Sequence, residues 1–413
     1  MSILWRDAMS QALYGPGGFF VAGSGPADHF RTSVHASPAF ASALLRLIAE
    51  VDSALGHPSR LDVIDVGAGR GELLRALHGL VAFEGAVGGA VGGAVGVSGE
   101  EPTRSGRSGL IPPRAGSPET LTPTAVVRRL PDEPSLVAER PSLAQRVRFT
   151  AVEYAARPAD LPDEINWVSD IPGDITGVLL ATEWLDNVPL DVAVHTTDGW
   201  RYVLVDPDSG VETIGEPVTP DDLDWLTTWW PSPASPRSAD RDLTGGSTST
   251  DATSETPHSD HRAEIGRPRD EAWANAVRQI SRGLAVAVDY GHLREGRPVD
   301  GTMTGYRGGR QVLAVPDGSS DVTAHVAMDS VASAGAGVAR CAYSLVLQRE
   351  ALRALGADGG RPPLSLAGTD PVGYVRALAA ASAVAELTDP AGLGGHWWLR
   401  QPVGIPLGPA VAR

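Results

Sequence analysis

Four runs of apolar residues predict buried strands, and stretches between these runs have apolar residues at the spacing of a helix. The runs begin at residues 61, 147, 177 and 283, and each has an acidic residue at or near its end. The first run, Leu61 to Val66, leads into a turn with glycines at positions 67, 69 and 71, after which leucines continue at helical spacing. Strand, glycine turn and helix form the opening unit of a doubly wound α/β sheet, whose ligands bind beyond the carboxyl ends of the strands.

Helices and one hairpin complete the predicted pattern. The segment from Asp191 to Val205 predicts a β-hairpin, because two strand-like segments flank the turn signal Asp198-Gly199. Helical spacing is predicted around residues 37–55, 270–282, 324–332 and 372–387. Alternation of strands with helices favours a mainly parallel sheet.

Two stretches interrupt this pattern. Residues from about 82 to 142 contain an Ala-Val-Gly repeat followed by Pro, Arg, Ser and Glu, and residues 231–269 are rich in Ser, Thr, Pro and Asp. Both have too few large apolar residues to bury a core, so we predict flexible insertions there. The remainder predicts an N-terminal segment over 1–60 and one catalytic domain over 61–413.

Composition narrows the classes of function. The 413-residue chain has a formal net charge of -16, which argues against a nucleic-acid partner because phosphate binding needs a basic surface. The single cysteine, Cys341, excludes an intramolecular disulfide and a cysteine-based metal site, and it fits a reducing cytoplasm. No apolar run of about 18 residues predicts a membrane span. We therefore predict a cytoplasmic protein without a metal and leave its oligomeric state open.

The glycine turn is the first candidate binding element. Its pattern is G-x-G-x-G over Gly67, Gly69 and Gly71, not the dinucleotide pattern G-x-G-x-x-G, and Asp65 precedes it. An acid beside the turn repels a phosphate and suits an ammonium or sulfonium, as in an adenosyl group without pyrophosphate. A tight turn of any α/β protein is the simpler alternative.

Acidic residues at the ends of successive strands are the second candidate feature. We predict that Glu153, at the end of the second strand, accepts the hydroxyls of a bound ribose. Its distance from the glycine turn matches the usual spacing only if the first insertion is removed. A solvated strand end is the alternative for any single one of these acids.

The acids after the third and fourth strands predict an acceptor site. Glu183 and Asp186 could hold a guanidinium, because paired carboxylates fix its plane and would present it for methyl transfer. Alternatively, Asp186 caps a helix near residue 188. Asp289 and His292 are predicted at the rim, where a histidine can act as a base, as could His325, although such histidines are commonly structural.

Several segments together resemble the MidA family of S-adenosylmethionine-dependent methyltransferases, which includes an arginine methyltransferase of mitochondrial complex I assembly. The matching segments, in the family's order, are Gly17–Phe20 with Phe30–Ser33, Asp65–Gly71, Val152-Glu153, Ala181–Pro189, Asp289–His292 and Asp321–Val326. The chain departs from the family pattern at Thr182, where Asn is usual, and at Val34-His35, where Pro-Glu is usual.

This resemblance implies a class I methyltransferase fold, which is a Rossmann-like doubly wound sheet, with an N-terminal helical cap over the cofactor. It implies S-adenosyl-L-methionine as cofactor and a protein nitrogen, possibly that of an arginine, as acceptor. Two alternatives stay open: a non-catalytic assembly factor that binds a partner protein on the same fold, and a nucleotide-dependent oxidoreductase. The G-x-G-x-G spacing and Asp65 count against the oxidoreductase.

Overall fold

The computed structural model describes residues 1–22, 32–92, 141–230, 261–357 and 359–406. Its strands are β1 (Ile3–Leu4), β2 (Leu61–Val66), β3 (Val147–Val152), β4 (Ile165–Val168), β5 (Ile175–Thr182), β6 (Asp191–Thr196), β7 (Gly199–Val205), β8 (Glu212–Pro217), β9 (Arg262–Ile265), β10 (Ile280–Asp289), β11 (Gly291–His292), β12 (Thr304–Arg307), β13 (Arg310–Val312), β14 (Asp321–Thr323), β15 (Val326–Ala327), β16 (Ser344–Leu347) and β17 (Trp397–Val403).

The helices are α1 (Trp5–Tyr14), α2 (Phe19–Ala22), α3 (Ser33–Ala36), α4 (Pro38–Ala54), α5 (Glu72–Gly92), α6 (Leu143–Arg146), α7 (Pro220–Trp229), α8 (Arg267–Arg278), α9 (Met328–Ala339), α10 (Gln348–Ala354), α11 (Leu364–Thr369) and α12 (Pro371–Thr388). Within these described helices, none combines the length and the apolar composition needed to cross a bilayer.

Seven of the described strands form the main sheet, in the order β16-β17-β10-β5-β2-β3-β4. The five strands from β10 to β4 are parallel, whereas β17 runs antiparallel to both of its neighbours. The chain moves from β2 outward to β3 and β4, and then returns to the other side of β2 with β5 and β10. This reversal confirms the predicted α/β class and places a crevice at the carboxyl ends of β2 and β5.

The main sheet is buried on both faces, which explains why its strands are continuous apolar runs. In β2, Leu61 and Val63 pack in the cluster that includes α4 and α5. Ile64 and Val66 pack on the opposite face with residues of α8 and α9. Alternate side chains of one strand therefore anchor both helical layers.

A second sheet of the described chain has the order β1-β7-β6-β9, with β8 paired to β7. It contains the predicted hairpin, which is confirmed by the antiparallel pairing of β6 with β7. From α1, Trp5, Met9 and Leu13 are buried in the same cluster as Val192 and Val203. The predicted cap segment, residues 1–60, is thus divided: β1 and α1 join this sheet, while α4 packs on the main sheet.

Regular elements extend into both predicted insertions. Helix α5 continues to Gly92, beyond the predicted start near residue 82. Strand β9 and the first turn of α8 lie within the predicted insertion 231–269, whose end was therefore placed too late. The rest of both insertions, residues 93–140 and 231–260, lies outside the described residues, as do Phe30 and Arg31.

The predicted helices are confirmed at α4, α8 and α12, with small shifts at their ends. The helix predicted from Ala324 begins instead at Met328, because residues 321–323 and 326–327 pair as the short strands β14 and β15.

Candidate active site at the carboxyl edge of the main sheet

A cavity of about 1150 Å³ lies where the strand order of the main sheet reverses. Its walls come from the ends of β2, β3 and β5 and from the N-terminal segment, including Tyr14 and His35. This volume is of the size that encloses small-molecule ligands and cofactors. The predicted site residues that line it are Asp65, Gly67, Gly69, Glu153, Glu183 and Asp186.

One end of the cavity, here called the glycine side, consists of Asp65, the turn 67–71, Glu72 and Glu153. Gly67 and Gly71 have φ angles of 70° and 79°, a region that favours glycine. A Cβ on Gly67 would lie 3.0 Å from Cδ1 of Trp184, and one on Gly71 would lie 2.7 Å from a methyl of Leu161. Gly71 does not itself line the cavity, so it shapes the turn from behind.

Glu153 fastens the glycine turn to the loop after β3. Its Oε2 accepts a hydrogen bond from Gly69 N at 3.0 Å, and its Oε1 accepts from Tyr154 N at 2.7 Å and Ala155 N at 3.2 Å. Each carboxylate oxygen has two lone pairs. Oε2 of Glu153 therefore retains the capacity to accept one further hydrogen bond, from a hydroxyl group of a ligand in the cavity.

Asp65 is buried, and no hydrogen-bond partner is found for its carboxyl group within the described part of the chain. Burial, followed by the charges of Glu72 and Glu153, raises its pKa to about 8. A cation bound nearby would favour the ionised form of Asp65, whereas a phosphate would oppose it. The glycine side is thus suited to a positively charged ligand without a phosphate.

The other end, here called the Asp186 side, consists of Glu183, Asp186, Asn187 and the residues that contact them. Glu183 has a φ of 52°, which is rare for a residue with a side chain. Its Oε1 accepts from Ser33 N at 3.1 Å and lies 4.0 Å from Nδ1 of His396. Burial and then the neighbouring charge of Asp186 raise the pKa of Glu183 to about 8.

Asp186 lies in a 3₁₀ turn, Leu185–Asn187, that follows β5. Its Oδ2 accepts hydrogen bonds from the hydroxyls of Tyr290 and Thr323, the latter at 2.7 Å. Its Oδ1 is buried without a partner in the described residues. The chain continues into β6 rather than a helix, so Asp186 does not cap a helix near residue 188.

Two buried ionisable side chains, those of Arg269 and Asp289, hold this turn in place by hydrogen bonds to its backbone. Arg269 donates hydrogen bonds to four carbonyl oxygens, namely those of Asp186, Val188, Ala324 and His325. The Oδ2 of Asp289 accepts from Leu185 N at 2.9 Å and from Asp186 N at 3.3 Å. Asp289 is therefore placed beneath the turn, not at the rim where the sequence predicted it, because backbone N–H groups use its carboxylate.

His292 is also away from the cavity. Its ring packs edge-on against Trp230 at 5.2 Å, and its Nδ1 lies 2.8 Å from a guanidinium nitrogen of Arg297. Burial and then the charge of Arg297 lower the pKa of His292 to about 3. This histidine stays neutral near physiological pH, and it is not among the described residues that line the cavity.

Sequence reasoning missed several residues of the Asp186 side. The hydroxyl of Tyr14 donates to Asn187 O at 3.2 Å, and Nδ2 of Asn187 donates to Oδ1 of Asp321 at 2.7 Å. Tyr290 and Thr323 belong to segments singled out for their histidines, so polar neighbours within those segments were the available signal. Among the described residues, no group of three or more His, Cys, Asp or Glu could hold a metal ion.

Comparison with known proteins identifies a family. Residues 131–344 match the family model described as "Putative S-adenosyl-L-methionine-dependent methyltransferase". A crystal structure from Burkholderia thailandensis that contains S-adenosyl-homocysteine is similar with a TM-score of 0.64 and 20% identity, over 99% of this chain and 90% of that one. A second structure from the same organism has a TM-score of 0.63 and 20% identity, over 100% and 90% of the two chains. No curated protein matches the chain.

The cavity fits the cofactor of this family. Glycine at position 67 lets the turn pass close to Trp184, where a side chain would not fit. Asp65, which has no hydrogen-bond partner among the described residues, matches a ligand that carries an ammonium and a sulfonium. Oε2 of Glu153 has acceptor capacity for a ribose hydroxyl. The matched segment covers more than half of the chain and includes Glu153 and the whole Asp186 turn. The chain therefore belongs to this family of S-adenosyl-L-methionine-dependent methyltransferases.

Proposed function

We propose that the protein transfers a methyl group from S-adenosyl-L-methionine to a nitrogen of a protein substrate, with an arginine guanidinium as the acceptor. The observation that carries the proposal is the pairing of Glu183 with Asp186 on the wall of the cavity that also contains the glycine turn. Two neighbouring carboxyl groups match the N–H donors of a guanidinium. The resemblance to the MidA family supports the same acceptor.

The cofactor supplies a methyl group on a positively charged sulfur that is a good leaving group, so the protein mainly has to align the acceptor nitrogen. Burial raises the pKa of Glu183 to about 8. A guanidinium lowers the pKa of both Glu183 and Asp186, because it stabilises their ionised forms. The two carboxylates would then accept its N–H groups and orient the remaining nitrogen toward the methyl group.

The rival function is a non-catalytic assembly factor on the same fold. His35, where the family pattern has an acid, lines the cavity, and its Nδ1 lies 2.7 Å from Oγ1 of Thr32. This change removes one carboxylate near the acceptor, whereas Glu183 and Asp186 are retained. Turnover on a protein substrate separates the two functions.

The test combines binding and turnover. Calorimetric titration with S-adenosyl-L-methionine and S-adenosyl-homocysteine should show binding that Glu153→Ala weakens strongly, while Glu164→Ala, on the exposed surface, serves as the matched control. Incubation of a cell lysate with the protein and isotopically labelled cofactor should then yield methylated arginine, detected by mass spectrometry. Binding without any labelled product would favour the assembly factor. Absence of binding by the unaltered protein would overturn the methyltransferase function.

A further inference from the structure

We infer that Tyr290 and Thr323 are positioning residues for methyl transfer: their hydroxyls hold Oδ2 of Asp186 and leave Oδ1 to accept an N–H of the methyl acceptor. The inference deepens the proposed function and rests on it. Neither residue lines the cavity, so both would act through Asp186.

Three oxygens form a closed triangle behind the Asp186 turn. The Tyr290 hydroxyl contacts both Oδ2 of Asp186 and Oγ1 of Thr323, the latter at 2.6 Å, and Oγ1 of Thr323 lies 2.7 Å from the same Oδ2. Two hydroxyl donors on one carboxylate oxygen restrict rotation of the carboxyl group about its Cβ–Cγ bond. The orientation of Asp186 is therefore set before an acceptor binds.

The two residues that donate these hydroxyl groups are themselves held in place by their neighbours. The ring of Tyr290 lies between the imidazoles of His325 and His396, with centroids 5.1 and 5.5 Å away. Thr323 lies in β14, where it pairs with Thr304 of β12. With Arg269 on the carbonyl oxygen and Asp289 on the N–H group, every hydrogen-bonding group of Asp186 except Oδ1 has a partner in the described residues.

Oδ1 has no partner in the part of the chain that the structure describes, and this distinguishes a binding role from a purely structural one. A buried carboxylate oxygen without a partner is unfavourable, because it has lost its hydrogen bonds to water, so such atoms are uncommon in folded proteins. Oδ1 belongs to a residue of the cavity wall, next to Glu183, which is where a guanidinium is proposed to bind. An N–H of the acceptor would satisfy it.

Removing a hydroxyl also has a predictable electrostatic effect. Burial raises the pKa of Asp186, and the bonds from Tyr290 and Thr323 oppose this rise. Loss of either hydroxyl should raise the pKa further, so ionised Asp186 would appear only at higher pH. The other titratable or charged groups that act electrostatically on Asp186, or on which it acts, are Tyr14, Glu183, Arg269, Asp289, Tyr306, Asp321 and His325.

The experiment uses a bisubstrate probe, adenosine joined to an alkyl guanidine, with S-adenosyl-homocysteine as the reference ligand that lacks the guanidine. Tyr290→Phe and Thr323→Val should each weaken binding of the probe about tenfold, as expected for loss of one hydrogen bond to a charged group. Both variants should leave binding of the reference ligand unchanged. Thr323→Ser, which keeps the hydroxyl, should restore probe binding. Asp186→Asn, which removes the carboxylate itself, should have the lowest affinity for the probe among these variants.

The pH profile of probe binding provides the second readout. Its acid limb should move to higher pH in Tyr290→Phe and Thr323→Val but not in Thr323→Ser, and a merely structural role would not produce this shift. Unchanged probe affinity and unchanged pH profiles in both variants would overturn the positioning role while the proposed function stands. Equal affinity of the unaltered protein for the probe and the reference would instead overturn the guanidine acceptor, and the positioning role with it.

Discussion

The two sides of the cavity are built in different ways. The glycine side comes almost entirely from one stretch, residues 65–72, and one added carboxylate, Glu153. The Asp186 side is assembled from separate segments, since the partners of Asp186 come from α8, from the end of β10 and from β14. A site for a shared cofactor can rest on a compact motif, whereas a site for a particular acceptor depends on tertiary structure.

The electrostatic character of the two sides is nevertheless the same. Asp65 on the glycine side and Glu183 on the Asp186 side both have a pKa raised to about 8, and burial is the largest cause for each. A neighbouring carboxylate adds to the shift at both positions. Both carboxyl groups would ionise more readily beside a cation, which the sulfonium cofactor at one end and the proposed guanidinium at the other would provide.

The largest expected effect is the loss of the support behind the Asp186 side. Arg269→Met would leave two buried and two partly buried carbonyl oxygens, and the nearby carboxyl groups, without their cation, so we expect the free energy of unfolding to fall by about 3–5 kcal/mol. Urea denaturation measures this change. Arg278→Met, at the exposed end of the same helix, is the matched control and should change stability by less than about 0.5 kcal/mol. Equal effects of the two substitutions would contradict the anchoring role of Arg269.

The next effect concerns the glycine side alone. Gly67→Ala places a Cβ at positive φ and 3.0 Å from Trp184. We therefore expect the binding free energy of S-adenosyl-homocysteine, measured by calorimetry, to become less favourable by about 1–3 kcal/mol. Gly79→Ala is the control, because a Cβ there meets nothing within 4 Å and alanine favours a helix. Normal affinity in Gly67→Ala would show that the turn does not approach the ligand.

A smaller effect is a proton released when the cofactor binds. A cation near Asp65 lowers its pKa from about 8, so binding near pH 7 should release up to one proton, and affinity should rise as the pH approaches 8. Asp65→Asn should abolish this release and weaken binding about tenfold. Titrations in buffers of different ionisation enthalpy count the protons, with adenosine as an uncharged control ligand. Proton release that persists in Asp65→Asn would assign it to another group.

The smallest effect concerns Tyr14, whose ring and hydroxyl group contact different sides of the cavity. The ring of Tyr14 packs 5.7 Å from that of Tyr154 beside the glycine side, whereas its hydroxyl bonds to Asn187 on the Asp186 side. Tyr14→Phe should leave binding of S-adenosyl-homocysteine unchanged and weaken binding of the guanidine probe about two- to fivefold. Tyr14→Ala, which also loses the ring, should weaken both ligands. A selective loss of cofactor affinity in Tyr14→Phe would reverse this assignment.

Sequence patterns identified the glycine side because most of its residues are close together in the sequence and because its chemistry requires specific residue types. The turn and the acids at strand ends follow from backbone geometry and from the direction of parallel strands, and six of the predicted residues line one cavity. The position of an acid at the end of a strand did not reveal how deeply its side chain is buried. Asp289 ends β10 as predicted, but its carboxylate faces backbone N–H groups beneath the neighbouring turn.

Arg269 shows why the rest could not be predicted. It lies within the stretch 231–269, whose polar composition indicated a flexible insertion, yet it is almost completely buried. Its role depends on carbonyl groups 55 to 83 residues away along the chain, and carbonyl groups have no signature in a sequence. For the same reason, His292 gave a false signal, since a histidine beside a strand end can equally pack against Trp230.

The left-handed backbone of Glu183 has a consequence for the evolution of this protein. A residue with a side chain at this φ is unfavourable by about 1–2 kcal/mol, and glycine would relieve most of that strain. Selection for stability alone would therefore replace this glutamate by glycine or asparagine in a lineage that no longer needs its carboxylate. Retention of an acid at this position in relatives would mark those still under selection for chemistry, and its loss would mark those that keep the fold only as a scaffold.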